Sequence, residues 1–115
     1  MSTNQPLEKS IENVLRQAVE AEGGVCLKWT CPGHRGVPDR MILFPAKIIA
    51  FVELKRPGAK VKAGGLQEWW RQRLWEFGFP CYEISTADEA RALAKKLRDA
   101  SDWEMRAPCR EDSDD

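Results

Sequence analysis

Three residues near the middle of the chain have types and spacing that could hold a metal ion or a charged substrate. Asp39 precedes an apolar run, and Glu53 and Lys55 stand two residues apart at the end of that run. Residues i and i+2 of a strand point to the same face, so Glu53 and Lys55 are expected to project together. Two carboxylates and an ammonium placed together cost desolvation and repulsion. A stable fold therefore rarely assembles them without a metal or a substrate to neutralise them.

Charge is distributed unevenly along the chain, although its net charge is zero at pH 7. Between Lys28 and Arg73 there are ten lysines and arginines against three acids, and two of those acids are Asp39 and Glu53. From residue 99 to residue 115 there are seven acids and two arginines. A basic middle with an acidic tail favours a polyanionic partner. A solvated charged surface is the plainer interpretation, but it does not explain why the basic residues surround the trio.

The residues around the trio resemble a known nuclease family. Pro-Asp at 38–39, a spacer and Glu-x-Lys at 53–55 form the signature of the PD-(D/E)xK nuclease superfamily. The fuller string Gly-Val-Pro-Asp-Arg … Val-Glu-Leu-Lys-Arg-Pro-Gly … Leu-Gln resembles its virus-type replication-repair nuclease (VRR-NUC) branch, in the stand-alone phage or bacterial form. The short motif alone is weak evidence, because short motifs match unrelated sequences by chance. The longer string, with a helix on each side, is more specific, and the resemblance runs from about residue 8 to residue 92.

Apolar periodicity and turn residues predict the elements that position the trio. The expected helices are 7–22, 66–77 and one capped by Ser85 or Thr86 that runs to about residue 100, and the expected strands are 25–30, 40–44, 47–55 and 79–84. The order αβββαβα predicts an α/β, restriction-endonuclease-like sandwich with a mixed four-stranded sheet flanked by helices. Its first three strands should be antiparallel and the fourth parallel to one of them. Residues 1–100 form the predicted nuclease domain, and 101–115 an acidic, disordered tail.

The turn between the second and third strands decides whether Asp39 and Glu53 meet. A two-residue turn at Pro45-Ala46 would set Asp39 opposite Val52, on the other face from Glu53. The chemistry needs the two carboxylates together. We therefore expect an odd-length turn, a bulge, or an Asp39 that lies just outside the regular ladder.

The resemblance implies metal-dependent hydrolysis of DNA phosphodiester bonds. Asp39 and Glu53 would hold Mg²⁺ or Mn²⁺, with the backbone carbonyl of Leu54 as a further ligand. Lys55 would orient or deprotonate the attacking water, or offset the developing charge, and the sequence leaves these roles open. Gln67, at the start of the second helix, would orient the water or the phosphate.

The first helix supplies one more acid in this family. Its members carry a glutamate about three turns before the glycine that ends the helix, and Glu12, eleven residues before Gly23, fits that place better than Glu8. Glu12 would complete the metal shell directly or through water, and Glu8 is the fallback. Basic residues that could contact phosphates, positioning DNA without reading its sequence, are Arg35, Arg40, Arg56, Lys60, Lys62 and Arg71.

The sequence gives less support to a zinc or redox site and to a membrane-spanning or exported protein. The four cysteines lack zinc-type or redox spacing, and His34 is interpreted as a loop residue that at most touches a phosphate. The chain has neither an apolar run long enough for a membrane span nor an apolar N-terminal signal. A location in the cytoplasm of a bacterial or phage-infected host cell is therefore expected.

The DNA substrate and the oligomeric state are expected by analogy. Small stand-alone members of the family resemble Holliday-junction resolvases, which favours branched DNA and a two-fold homodimer. Members fused to larger proteins act instead on flaps and cross-link repair intermediates. Trp69, Trp70 and Trp75 fall on more than one face of a single helix, so one core face cannot cover all three. At least one of them is then left exposed, stacked on DNA or buried against a partner, and a partner subunit is the favoured interpretation. The alternatives are a catalytically inactive DNA-binding module of the same fold and a structural α/β subunit.

Overall fold

A computed structural model describes residues 4–55 and 65–106 of the chain, and the side chains from residue 9 onward within those ranges. The elements are α1 Asn4–Ala21, β1 Val25–Lys28, β2 Arg40–Phe44, β3 Ile48–Leu54, α2 Leu66–Glu76, β4 Cys81–Ile84 and α3 Ala87–Arg106. This is the predicted αβββαβα order. The proposed phosphate contacts at 56, 60 and 62 lie outside the described residues. None of the described helices is both long and apolar enough to cross a membrane.

The sheet is mixed, as predicted, with the strands side by side in the order β1-β2-β3-β4. β1 pairs antiparallel with β2, and β2 pairs antiparallel with β3. β4 follows the α2 crossover and pairs parallel with β3, because a crossover connection returns the chain in the same direction. β1 and β4 are each two residues shorter than predicted, and α1 begins three residues earlier.

The β2–β3 turn has three residues, which confirms the expected odd length. Phe44 pairs with Ile48 and Arg40 pairs with Val52, so the turn is formed by residues 45–47. Its last two residues, Ala46 and Lys47, have φ angles of 69° and 65°. Asp39 lies one residue ahead of β2 and just outside this ladder, and its N–H donates to the carbonyl of Val52, the residue already paired with Arg40.

One face of the sheet packs under α1 and α3 and forms the core. The strand residues on this face are even-numbered, and Ile42, Ala50 and Val52 are fully buried there. α1 contributes Leu15 and Val19, also with no exposed surface. The core is completed by Ile11, Cys26, Phe44, Leu54, Ile84, Ala90, Leu93, Ala94 and Leu97. This face supplies most of the apolar burial that stabilises the fold.

The other face of the sheet is only partly covered. α2 lies against the β4 side, while Val25 and Leu27 on β1 keep 47% and 43% of their surface exposed. Met41, Leu43 and Ile49 on the same face are half-buried. The strand residues of this open face are odd-numbered, and they include Glu53 at its far end.

The last helix is longer than the sequence predicts. It begins at a capping box, in which the Glu89 backbone N–H donates to Thr86 Oγ1 (3.1 Å) and the Glu89 carboxylate accepts from the Ser85 N–H (2.7 Å). It ends at Arg106 rather than near residue 100. Ser101 is buried, and its hydroxyl donates to the Pro45 carbonyl (2.8 Å). Residues 101–106, predicted to be tail, are therefore helical, and 107–115 lie outside the described residues.

Candidate active site

Four of the predicted site residues meet at one end of the open face. Asp39 precedes β2, Glu53 and Lys55 stand at the end of β3, and Gln67 lies in the first turn of α2. Asp39 lies just outside the regular ladder and close enough to Glu53 to raise its pKa, and strand alternation adds Lys55. Glu53 is 7% exposed, whereas Asp39 is open to solvent. The pair therefore has one buried and one accessible carboxylate.

The Gln67 amide joins the lysine to the buried carboxylate. Gln67 Nε2 donates to Glu53 Oε2 (2.6 Å), and Lys55 Nζ donates to Gln67 Oε1 (2.6 Å). Lys55 Nζ also lies 3.7 Å from Glu53 Oε2. These contacts fix the orientation of the amide, with its oxygen toward the ammonium and its nitrogen toward the carboxylate. The three side chains thus form a connected network that holds Glu53 in place.

Asp39 is held by the backbone of the neighbouring strand. Its Oδ2 accepts a hydrogen bond from the Leu54 N–H (2.8 Å), and its own N–H donates to the Val52 carbonyl (3.0 Å). In an extended strand the N–H and C=O of one residue point to the same side. The Leu54 carbonyl therefore points toward the side of β3 on which Asp39 lies, as its predicted role as a ligand requires.

The positive charges near Glu53 do not offset the effects of its burial and of the neighbouring acids. Its pKa is raised to about 7, mainly by burial, then by the nearby Asp39 carboxylate and more weakly by Glu83, while Lys55 and Arg71 act in the opposite direction. A buried carboxylate beside a second one is an arrangement that a divalent cation relieves. Two carboxylates and a carbonyl are the oxygen donors that Mg²⁺ and Mn²⁺ prefer. The donor set thus fits such an ion.

Within the described ranges, no three histidine, cysteine, aspartate or glutamate side chains converge on one point. An ion held here would therefore take its remaining ligands from the Leu54 carbonyl, water and the substrate. Mg²⁺ commonly keeps several waters and binds proteins through one or two carboxylates. The pair of Asp39 and Glu53 meets that requirement.

A glycine sets the distance between α2 and the loop that joins β1 to β2 (residues 29–39, the Asp39 loop). Gly36 has a φ of +82°, and a Cβ on it would lie 2.6 Å from Leu66 Cβ and 3.2 Å from the Gln67 nitrogen. Only glycine combines that φ with such a close approach. The indole Nε1 of Trp70 donates to the Arg35 carbonyl (3.1 Å) and ties the loop to the helix a second time. The glycine of the Gly-Val-Pro-Asp string thus positions Gln67 beside the carboxylates.

Glu12 and Arg40 are not brought to this cluster. The Glu12 carboxylate accepts a hydrogen bond from Arg40 Nη2, and Arg40 belongs to the even-numbered, core-side face of β2. The Arg40 side chain is 13% exposed, so its guanidinium is engaged by Glu12 rather than presented as a phosphate contact. The predicted role of Glu12 in the metal shell stays a prediction, and the side chain of Glu8 lies outside the described residues.

An acid that the sequence reading missed lies beside the cluster. Glu83 on β4 is the register partner of Glu53, and Arg71 Nη2 donates to its carboxylate. Arg71, predicted to contact phosphate, is therefore bound to Glu83 in this structure, and it also lies 4.0 Å from Glu68. The parallel pairing of β3 with β4 is the signal that could have found Glu83. Arg35 is exposed, consistent with a surface contact.

The fold and the site together define a PD-(D/E)xK-type nuclease domain. A solved structure described as a VRR_NUC domain superposes with a TM-score of 0.65 at 25% sequence identity, covering 76% of this chain and 94% of that one. A protein named "Putative nuclease p44", from Acyrthosiphon pisum secondary endosymbiont phage 1, is 40% identical over 81 residues, which span 70% of this chain and 85% of that protein. No protein-family model matches the chain.

The chain belongs to the VRR-NUC family. The resemblance read from the Pro-Asp…Glu-x-Lys string is thereby confirmed, as is the mixed-sheet α/β fold that it implied.

Proposed function

We propose that this protein is a divalent-metal-dependent DNA endonuclease that hydrolyses phosphodiester bonds, with a preference for branched DNA. The observation that carries the proposal is the convergence of Asp39, Glu53, Lys55 and Gln67 at one end of the open sheet face. The relative named as a nuclease supports the same activity.

Asp39, Glu53 and the Leu54 carbonyl are the groups that would hold Mg²⁺ or Mn²⁺, with Glu12 as a further candidate. When bound, such an ion lowers the pKa of a ligand water and offsets charge on the phosphoryl oxygens. Glu53 has a pKa of about 7 without a cation, so it is partly protonated near neutral pH. A cation would favour its charged, ligating form.

Lys55 and Gln67 would act on the water and the phosphate. The Lys55 ammonium donates a hydrogen bond to Gln67 Oε1 and lies farther from Glu53 Oε2 than a close ion pair would. Its other N–H groups can therefore donate to further acceptors. It would hold a water by hydrogen bonding or offset the charge that develops on the phosphate. Gln67 keeps Lys55 and Glu53 at a fixed separation, and this preorganises the site.

Basic residues around the motif would bind the DNA backbone. Arg35 is exposed beside the Asp39 loop, and the segment at 56–62 contributes Arg56, Lys60 and Lys62. Arg71 would reach a phosphate only by exchanging its Glu83 partner. Such contacts give affinity that falls steeply with salt, with a slope of roughly −0.9 in log K per neutralised phosphate on duplex DNA.

A two-fold homodimer is the proposed form, because a symmetric junction needs two cuts. Large apolar side chains that a single core does not cover support it: Trp69 and Phe77 are 52% and 63% exposed. Exposed apolar patches of this kind mark interaction sites. The proposed setting is the cytoplasm of a bacterial or phage-infected cell.

The deciding experiment is a cleavage assay on plasmid, linear duplex and a four-way junction, with Mg²⁺, Mn²⁺ or EDTA, combined with light scattering of the free protein. We expect metal-dependent cleavage, faster on the junction, by a dimer. Binding without cleavage in either metal would favour the inactive DNA-binding module. A monomer that cuts duplex and junction equally would contradict both the dimer and the preference for branched DNA, and would indicate a generic nuclease. A protein that neither binds nor cuts DNA would favour the structural subunit.

A further inference from the structure

We propose that a cleft between α2, β4 and α3 binds an unpaired nucleobase, in a single-stranded tail that leaves the cleaved bond. The inference rests on the proposed nuclease function and adds a substrate contact to it. The cleft encloses about 660 Å³ and is lined by Arg71 and Trp75 of α2, Cys81 and Tyr82 of β4 and Lys96 of α3. That volume lies within the usual range for pockets that hold small organic groups.

Trp75 gives the cleft a surface on which a base can stack. Its indole is 71% exposed, although its neighbour Leu74 is buried and anchors the same turn of α2. The ring of Tyr82, by contrast, already faces an ammonium, with Lys96 Nζ 5.0 Å from its centroid. Stacking on an exposed aromatic ring is the usual way in which proteins hold unpaired bases, because every base has a π-face.

The charges around the cleft favour a neutral heteroaromatic ring over an anion. Glu68 and Glu76 balance Arg71 and Lys96, so these four side chains add no net charge. Burial raises the pKa of the Cys81 thiol to about 11, and the floor is therefore uncharged. A phosphate or an acidic peptide requires an excess of cations. A base edge offers both donors and acceptors, which this mixed rim can satisfy.

The cleft is joined to the catalytic carboxylates through one side chain. Arg71 lines the cleft and also donates to Glu83, which lies opposite Glu53 in the β3–β4 register. Cys81 in the cleft precedes Glu83 by two residues, a distance of about 7 Å along a strand. A nucleotide bound in the cleft would therefore lie close to the bond held at Asp39 and Glu53.

A second cavity continues the path away from the site. It encloses about 260 Å³ and shares Pro80, Tyr82 and Lys96 with the cleft. Its described lining includes Lys47 and Lys96 but no acid. This positive groove suits the backbone phosphate that follows the stacked base. The two cavities thus form a track along β4 for a single strand.

The test measures DNA binding by fluorescence anisotropy in a Glu53→Gln background with EDTA, so that no strand is cut. The probes are a blunt duplex and the same duplex with a single-stranded tail. We expect Trp75→Ala to weaken binding of the tailed DNA by about fivefold or more and to leave the blunt duplex within about twofold. Trp103→Ala is the matched control, since its indole is 67% exposed and lies outside the cleft lining. Trp75→Phe should retain most of the affinity.

A direct readout is the fluorescence of 2-aminopurine in the unpaired tail, which should be quenched on binding and recover with Trp75→Ala. An equal effect of Trp75→Ala on both DNAs, or none on the tailed one, would overturn the proposal. Binding of dAMP that depends on Trp75, with no preference for tailed DNA, would also overturn it, in favour of a free-nucleotide site. Metal-dependent cleavage by the wild-type protein tests the proposed function separately. If the wild type cleaves DNA but Trp75→Ala has no effect on binding, only the cleft proposal fails. If the tail preference depends on Trp75 but no DNA is cleaved, only the nuclease proposal fails.

Discussion

The two faces of the sheet are made by alternate residues of the same strands, and they are covered very differently. The closed face lies under α1 and α3, and Ile42 and Val52 have no exposed surface there. The open face meets α2 near β4 and leaves Val25 and Leu27 almost half exposed. At the end of this open face stands a carboxylate, Glu53, whose pKa is raised to about 7 by burial and by Asp39.

This difference shows how a small domain can hold an unfavourable site. Bringing two carboxylates together destabilises the folded state, and the apolar burial on the closed face offsets that cost. The open face is free to expose its polar end to a substrate. Stability and chemistry are thus assigned to opposite sides of one four-stranded sheet.

The largest expected effect is on the open face. Asp39→Asn, Glu53→Gln and Lys55→Ala should each lower cleavage by roughly 10³-fold or more, because each removes a group from the proposed metal and phosphate site. The circular dichroism spectrum should stay unchanged. Asp88→Asn, at an exposed carboxylate on α3, is the control and should cleave normally. Near-native turnover of the Asp39 or Glu53 variant would refute the site.

On the closed face the expected effect is on stability. Leu15→Ala should cost about 2–5 kcal/mol of unfolding free energy, since it leaves a cavity in a fully buried position. Leu27→Ala, the same change on the open face, should cost about 1 kcal/mol or less. Urea denaturation measures both. Equal losses would mean that the open face is covered in solution, as a dimer interface would cover it, and the concentration dependence of the transition would reveal that.

Gly36 is the point where the Asp39 loop meets α2, and Gly36→Ala should break that contact. Its added Cβ would lie 2.6 Å from Leu66 Cβ at a φ of +82°, and we expect a loss of about 1–3 kcal/mol together with reduced cleavage. Gly33→Ala is a matched control, because Gly33 has a φ of +88° but nothing within 4 Å of its Cβ position. Thermal unfolding and initial rates separate the two. If both variants behave alike, the loop–helix contact does not position the site.

The raised pKa of Glu53 predicts a pH dependence in the metal-free protein. The folded-state value, about 7, exceeds the ordinary value of 4.5, so the folded protein binds this proton more tightly. The stabilisation that comes from binding this proton is fully present below pH 4.5 and is lost as the pH rises through 7. The unfolding free energy should fall by roughly 2–3 kcal/mol over that range from this group. In EDTA at pH 8, Glu53→Gln should then be more stable than the wild type. A less stable variant would contradict the pKa assignment.

The smallest expected effect concerns the ion pair at the boundary of the closed face. Glu12→Gln should reduce cleavage several-fold more than Glu8→Gln, because Glu12 binds Arg40, the residue next to Asp39. Loss of this partly buried pair should also cost about 1 kcal/mol of stability. Rates measured under saturating DNA, with unfolding curves for both variants, test this. A larger effect of Glu8→Gln would place the helix acid one turn earlier.

The cluster was predictable because its members follow simple periodicities. Alternation places Glu53 with Lys55. The need to bring Asp39 to them predicted an odd-length turn, a bulge or an Asp39 outside the ladder, and the structure has a three-residue turn with Asp39 just outside the ladder. Gln67 followed from the family resemblance and its place at a helix start. These features depend on residues that are close in the sequence, or on one unknown quantity such as the length of a turn. They can therefore be predicted well from the sequence.

The features that were missed depend on contacts between distant segments. The Glu12–Arg40 pair joins residues 28 positions apart, and strand alternation alone does not say that Arg40 faces a helix acid. Glu83 is an ordinary strand glutamate until the β3–β4 register sets it opposite Glu53. The end of α3 was placed too early because its residues are acidic. The hydrogen bond from Ser101 to the Pro45 carbonyl, 56 positions away, cannot be read from composition.

The three-residue turn between β2 and β3 also limits how this gene can change. Losing or gaining one codon there would keep Phe44 paired with Ile48 only if the turn took a different loop form; a turn that stayed at three residues would move one strand by a single pairing step and exchange its inward and outward side chains. Losing or gaining two would preserve the pairing of faces. Amino-acid identity is less constrained than length, since Ala46 and Lys47, with φ of 69° and 65°, occupy a conformation that asparagine or glycine adopts more readily. Natural relatives should therefore vary in residue type at this turn more than in its length.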